Sequence, residues 1–127
     1  MRASEATLKF LTRYYDAIES ADRDRISSYY TEDITLTFGN DPAIHGREKL
    51  LEVFIPILRR VRSLHHDIAN AWEDGDVIIV EAIGVWNLLD GRSVSANAVD
   101  IFVLTDGRFA EHRMVADNTP LFSALEG

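Results

Sequence analysis

Apolar residues recur at intervals of three and four from Ser4 to Ser20, with Leu8, Leu11, Tyr15 and Ile18 on one side and Ser4 placed to cap the first turn. This spacing predicts a long amphipathic helix. Asp22 is placed to cap a second, short helix with Ile26, Tyr29 and Tyr30 on its buried side and Thr31, Glu32 and Asp33 closing it, so the two read as a helical hairpin. The run "ITLTF" at 34–38 then alternates and is β-branched, which predicts a strand ending in the turn-forming "GNDP". Helical spacing returns from Arg47 to Arg62, with Leu50, Leu51, Phe54, Leu58 and Val61 inward. Pro56 predicts a kink there, because proline lacks the amide donor and crowds the preceding turn.

From Leu64 the pattern becomes strand-like. Runs at 64–72, 77–88, 93–104 and 109–116 are separated by "EDGD", "LDGR" and "TDGR", each an Asp-Gly hairpin signal. Helices first and an antiparallel meander after predict an α+β fold, with helices packed on one face of a curved sheet. At 127 residues the chain has the size of one domain, and it shows no internal repeat or linker.

The strand at 93–104 carries the most informative residue. Ala98, Asp100, Phe102 and Leu104 share one face, and Val99, Ile101 and Val103 share the other. Both faces are apolar except for Asp100, a carboxylate that costs several kcal/mol to bury as an unpaired ion. The "TDGR" turn decides what it meets. A three-residue loop at Thr105, Asp106 and Gly107 places Asp100 opposite His112, an acid–base dyad. A two-residue type I′ turn at Asp106 and Gly107 places it opposite Arg113, a structural ion pair. In the same way a two-residue turn at Asp90 and Gly91 pairs Asp100 with Glu81, which raises one of their pKa values, and a three-residue loop pairs it with Val80. The second apolar stripe calls for a cover, most simply a second copy of the chain across the sheet.

Composition narrows the partners. A formal charge of -8 and a longest basic stretch of "RRVR" at 59–62 argue against nucleic acid. There is no cysteine, which excludes thiolate catalysis and cysteine metal sites and fits a cytoplasmic, reducing compartment. No run approaches the roughly 20 apolar residues of a membrane span. His65 and His66 fall on opposite faces of a strand and cannot chelate one metal, and no phosphate-cradling glycine loop is present, so neither a metal nor a cofactor is expected.

The order "YYTEDITLTF", "IHGREKL" and "DIFVLTDGRFAEHRMVAD" resembles the SnoaL-like branch of the nuclear transport factor 2 superfamily, whose fold ketosteroid isomerase also uses, over residues 4 to about 125. The resemblance implies a cone-shaped barrel of curved antiparallel sheet packed against three N-terminal helices. It also implies a pocket between sheet and helices, lined here by Tyr30, Phe38, Asn40, Phe54, Leu58, Phe102, Met114 and Asp117. Ala98, Asp100, His112, Met114 and Ala116 match pocket-facing positions of the isomerase. Asp100 falls on its oxyanion-hole aspartic acid, which in that enzyme is kept protonated by an apolar site beside a tyrosine; Tyr14 matches the tyrosine. The isomerase's base has no counterpart, since Phe38 or Leu36 stands there and Asp41 follows only in the loop. Relatives that open epoxides carry an Arg-x-Asp and a second Asp where this chain has Ala82, Gly84 and Met114. SnoaL-like cyclases use a late acid–base Asp, for which Asp117 is the nearest candidate.

Asp100, His112 and Tyr14 are therefore the expected catalytic group, with Asn40, Asp117 and His66 at its margins. Tyr14 polarises an enolisable carbonyl and His112 deprotonates it, giving isomerisation, dehydration or aldol-type cyclisation of a lipophilic, polyketide-like molecule. The competing readings are a non-catalytic binding protein for such a ligand and a dimeric interaction module of the same fold. In the structural reading Asp100 pairs with Arg113 or backbone amides and Tyr14 simply packs in the core.

Overall fold

The structure is a computed structural model, and it describes residues 1–126. Helix α1 (Glu5–Ser20) starts where the Ser4 hydroxyl accepts from the Thr7 amide and ends at Ala21 in the left-handed region. Its buried face is Leu11, Tyr14, Tyr15, Ala17 and Ile18, whereas Leu8 is exposed. Helix α2 (Arg23–Ser27) is capped by the Asp22 carboxylate on the amides of Asp24 and Arg25. It is shorter than the spacing predicts. Tyr30 and the "TED" segment belong to strand β1 (Tyr30–Phe38) instead, because Phe109 donates its amide to the Tyr29 carbonyl and draws the chain into the sheet.

A two-residue strand β2 (Ile44–His45) pairs with β1, and helix α3 (Arg47–Arg59) follows. Pro56 lies at an exposed position inside this one helix. Val61, expected on α3, instead opens β3 (Val61–Asp74), so the helix stops short of residue 62. The meander continues through β4 (Val77–Leu88), β5 (Ser93–Thr105) and β6 (Arg108–Ala116), and a short helix α4 (Thr119–Glu126) closes the chain. The sheet order is β2-β1-β6-β5-β4-β3, antiparallel except for the parallel β1–β6 pair. The fold is α+β, with the core between the inner face of this sheet and α1 and α3. The sequence pattern did not reveal α4, whose Leu121 packs with Val61 and Leu88 at one end of the sheet.

Candidate functional site

The loops between strands set which side chains meet. After Leu88 the chain turns over three residues, with Gly91 at φ 92°, so Asp100 stands opposite Val80 and Glu81 opposite Val99 on the outer face. At "TDGR" neither expected register occurs. Asp106 (φ 51°) and Gly107 (φ 78°) form the two-residue turn, but a bulge between Val103 and Leu104 leaves Ala110 without a partner. The extra residue moves Asp100 opposite Met114 and restores His112, opposite Phe102, to the inner face. Asp100 and His112 are thus diagonal neighbours on one face, close enough to bond.

His112 Nε2 lies 2.9 Å from Asp100 Oδ1, and the Tyr15 hydroxyl donates to Asp100 Oδ2 at 2.7 Å. Asp100 is 3% exposed and His112 1%. Burial pushes the Asp100 carboxyl up, but the hydrogen bonds and charges of His112, with the Tyr15 hydroxyl, outweigh it and hold the carboxyl below the usual range. The site therefore differs from the protonated acid that the resemblance implies: the Tyr15 hydroxyl and the His112 ring converge on this carboxyl and both favour its ionised form. Burial and the Asp100 charge hold Tyr15 well above the ordinary tyrosine value, so it remains a donor.

Tyr14 does not reach Asp100. Its hydroxyl pairs with that of Tyr30 at 2.6 Å, and burial followed by the Tyr30 hydroxyl pushes its pKa well up. When Tyr30 donates in this pair, the Tyr14 proton is free for a ligand. Tyr15, one residue on, is the tyrosine that sequence reasoning missed. Helical spacing marks Tyr15 as inward-facing without a role, Tyr14 enters only through the resemblance, and only the packed geometry distinguishes their partners.

An inner chamber of about 80 Å³ extends from these groups. Tyr14, Phe38, Phe54, Leu58, Asp100, His112 and Met114 line it, together with Tyr15, His66 and Trp86. Gly84, Ala96, Ala98 and Ala116 leave the room on the sheet side. Tyr30 and Phe102 are corrections: both are fully buried behind the wall, Tyr30 holding Tyr14 and Phe102 stacked on Phe109 at 4.1 Å. Asn40 and Asp117 sit instead in an outer vestibule of about 550 Å³ that shares Phe38, Met114 and Phe122 with the chamber. Asp117 is exposed there and caps Thr119. Asp41 lines the same vestibule, and no carboxylate occupies the inner positions of Leu36, Phe38, Ala82, Gly84 or Met114.

Solved structures share this architecture. A protein of Jannaschia sp. CCS1, provisionally named a SnoaL-like polyketide cyclase, matches with a TM-score of 0.80 and 20% identity over 100% of this chain and 98% of its own. An LEH-like epoxide hydrolase of M. tuberculosis matches with a TM-score of 0.75 and 18% identity over 91% and 86%. TerC, co-crystallised with polyporic acid, matches with a TM-score of 0.74 and 15% identity over 94% and 98%. These likenesses fix the fold and leave the chemistry to the site. No curated protein matches the chain. The SnoaL-like domain covers residues 11–112, from the middle of α1 to the histidine that holds Asp100, and the chain belongs to that family.

Proposed function

We propose that the chain is a small acid–base enzyme acting on a lipophilic carbonyl or polyketide-like molecule, by isomerisation, cyclisation or dehydration. The supporting observation is the buried Asp100 carboxyl, held by His112 and Tyr15 in the wall of an apolar chamber. Such a buried charge stabilises a fold weakly at best and is often replaceable by apolar residues at no cost. In the chamber it has a use: its field favours a neighbouring base on becoming cationic. Tyr14, protonated and backed by Tyr30, donates to a carbonyl oxygen as negative charge develops there. Proton loss from the adjacent carbon then gives an enolate. The chamber is small, so the reacting part of the ligand enters it and the remainder occupies the vestibule.

A binding protein without turnover is the second reading, favoured by the absence of a carboxylate at Leu36 and Phe38. TerC, taken with polyporic acid, supports a small-molecule pocket on this fold under either reading. The test is α-hydrogen exchange of 2-tetralone in deuterated buffer, followed by NMR. We expect the wild type to accelerate exchange and Asp100→Asn to slow it by about a hundredfold. Thermal stabilisation by 2-naphthol without any exchange selects the binding protein, and neither effect selects the interaction module. We also propose a homodimer through the outer sheet face, where Ile79, Ile83 and Val115 are exposed.

A further inference from the structure

His66 is a titratable group of the chamber that the acid–base site leaves unused. It stands on β3 opposite Gly84, and its ring lines the chamber. Among the described residues neither ring nitrogen has a hydrogen-bond partner, and Nδ1 is fully buried without one. Unsatisfied buried nitrogens are uncommon and costly. His112 differs in exposure and in its partner: it is 1% exposed and its Nε2 is committed to Asp100, although its Nδ1 too is buried without a partner. Both imidazoles line the chamber, and His66 is the less buried of the two, with neither ring nitrogen bonded.

The orientation of His66 is fixed from both sides. Its backbone amide donates to Glu19 Oε1 at 3.0 Å, while its neighbour His65 engages Glu19 and Asp67 on the outer side. Its ring stacks on Tyr15 at a centroid distance of 4.6 Å, and the hydroxyl of that same Tyr15 donates to Asp100. Tyr15 thereby places the imidazole within reach of the Asp100 field without letting the two bond. A Cβ added at Gly84 would lie in ordinary contact with the His66 ring, 3.9 Å from Cδ2, so glycine there leaves room beside the imidazole.

We propose that His66 is the group that accepts the acidic hydrogen of the ligand, and that the ligand is a planar carbonyl compound whose hydrogen is activated, as in an aryl-conjugated ketone, a 1,3-dicarbonyl or their enol and phenol forms. This rests on the acid–base reading above. In the reaction the C–H bond next to the carbonyl breaks, its proton passes to a ring nitrogen of His66, and its electron pair moves to the carbonyl oxygen, which accepts from Tyr14. The imidazolium then faces the carboxylate of Asp100. Burial holds His66 down at about 4, against the opposing pull of Asp100, which makes it a weak base. A weak base requires an acidic partner, since proton transfer is efficient when the two affinities are close. The aromatic side chains Phe38, Phe54 and Trp86 and the flat wall of Gly84, Ala96 and Ala98 fit a planar ring.

The test uses the full chain with histidine ring nitrogens labelled with nitrogen-15, 2-naphthol as ligand and His66→Gln to assign the signals. We expect naphthol to shift a His66 ring resonance as that nitrogen accepts the hydroxyl hydrogen. We expect His66→Gln to slow 2-tetralone exchange by about a hundredfold while naphthol still raises its melting temperature. His66 resonances that ignore naphthol overturn the assignment. So does exchange that survives His66→Gln and disappears in His112→Gln. A wild type that shows no exchange but whose His66 signal follows naphthol overturns the acid–base reading alone and supports His66 as the acceptor.

Discussion

At the residue scale, the polar groups of the inner chamber are readable through proton linkage. His66 holds its proton less well folded, at about 4, than at its ordinary 6.5. Between these values the unfolded chain binds more protons, so stability rises with pH through the window and is lost on acidification, by on the order of 3 kcal/mol. Denaturant melts of wild type and His66→Gln at a series of pH values check this, and the variant should show a flatter profile between about pH 6.5 and 4. Asp100 acts further down. Its carboxyl is held below the ordinary value, so its contribution is present above about pH 3.9 and fades as pH falls through the folded value. Asp100→Asn should destabilise by roughly 1–3 kcal/mol at neutral pH, since a buried donor loses its charged acceptor. The single carboxylate in an apolar strand was visible in the sequence. Its partner Tyr15 was not, because adjacent helical tyrosines differ only in where the packed helix aims them.

At the scale of elements, the β5–β6 hairpin decides whether the site exists. A type I′ turn alone would set Arg113 against Asp100; the bulge at Ala110 adds one residue and returns His112, Met114 and Ala116 to the inner face. Because side chains alternate, one residue exchanges the two faces of a strand. Insertion of one alanine between Glu111 and His112 should therefore turn His112 outward, opposite Ile101, and leave Asp100 without its imidazole, at a cost of about 3–5 kcal/mol. Urea titration of the insertion variant measures this, and 2-naphthol should no longer stabilise the product. Hairpins at all three Asp-Gly sites were legible in the pattern of apolar runs. Turn length and bulge were not, since the same "DG" serves a three-residue loop after Leu88 and a two-residue turn after Thr105.

At the scale of the whole molecule, the sheet has one face under α1 and α3 and one face open. Ile79 stands beside Ile101, and Val99 beside Val115, on that open face, an apolar stripe that a second copy would cover. Light scattering after size exclusion should give twice the chain mass, and Ile101→Lys should return it to one while 2-naphthol still binds. Among the described residues no helix is long and apolar enough to cross a membrane. The chamber itself depends on small residues: Ala98→Leu should fill it, abolish naphthol stabilisation and cost about 1–3 kcal/mol from crowding.

The sequence by itself determined the kinds of element, the α+β order, the apolar strand interrupted by Asp100 and the family resemblance, because periodicity, caps and turn residues act over a few neighbours. Tertiary structure decided the rest. The entry of Tyr30 into β1, the start of β3 at Val61 and the closing helix α4 follow from hydrogen bonds and contacts with distant strands. The assembly of Asp100, His112, Tyr15 and His66 from α1, β3, β5 and β6 depends on register. Register is set by one unpaired residue in a bulge, whose local propensity is no different from that of its neighbours.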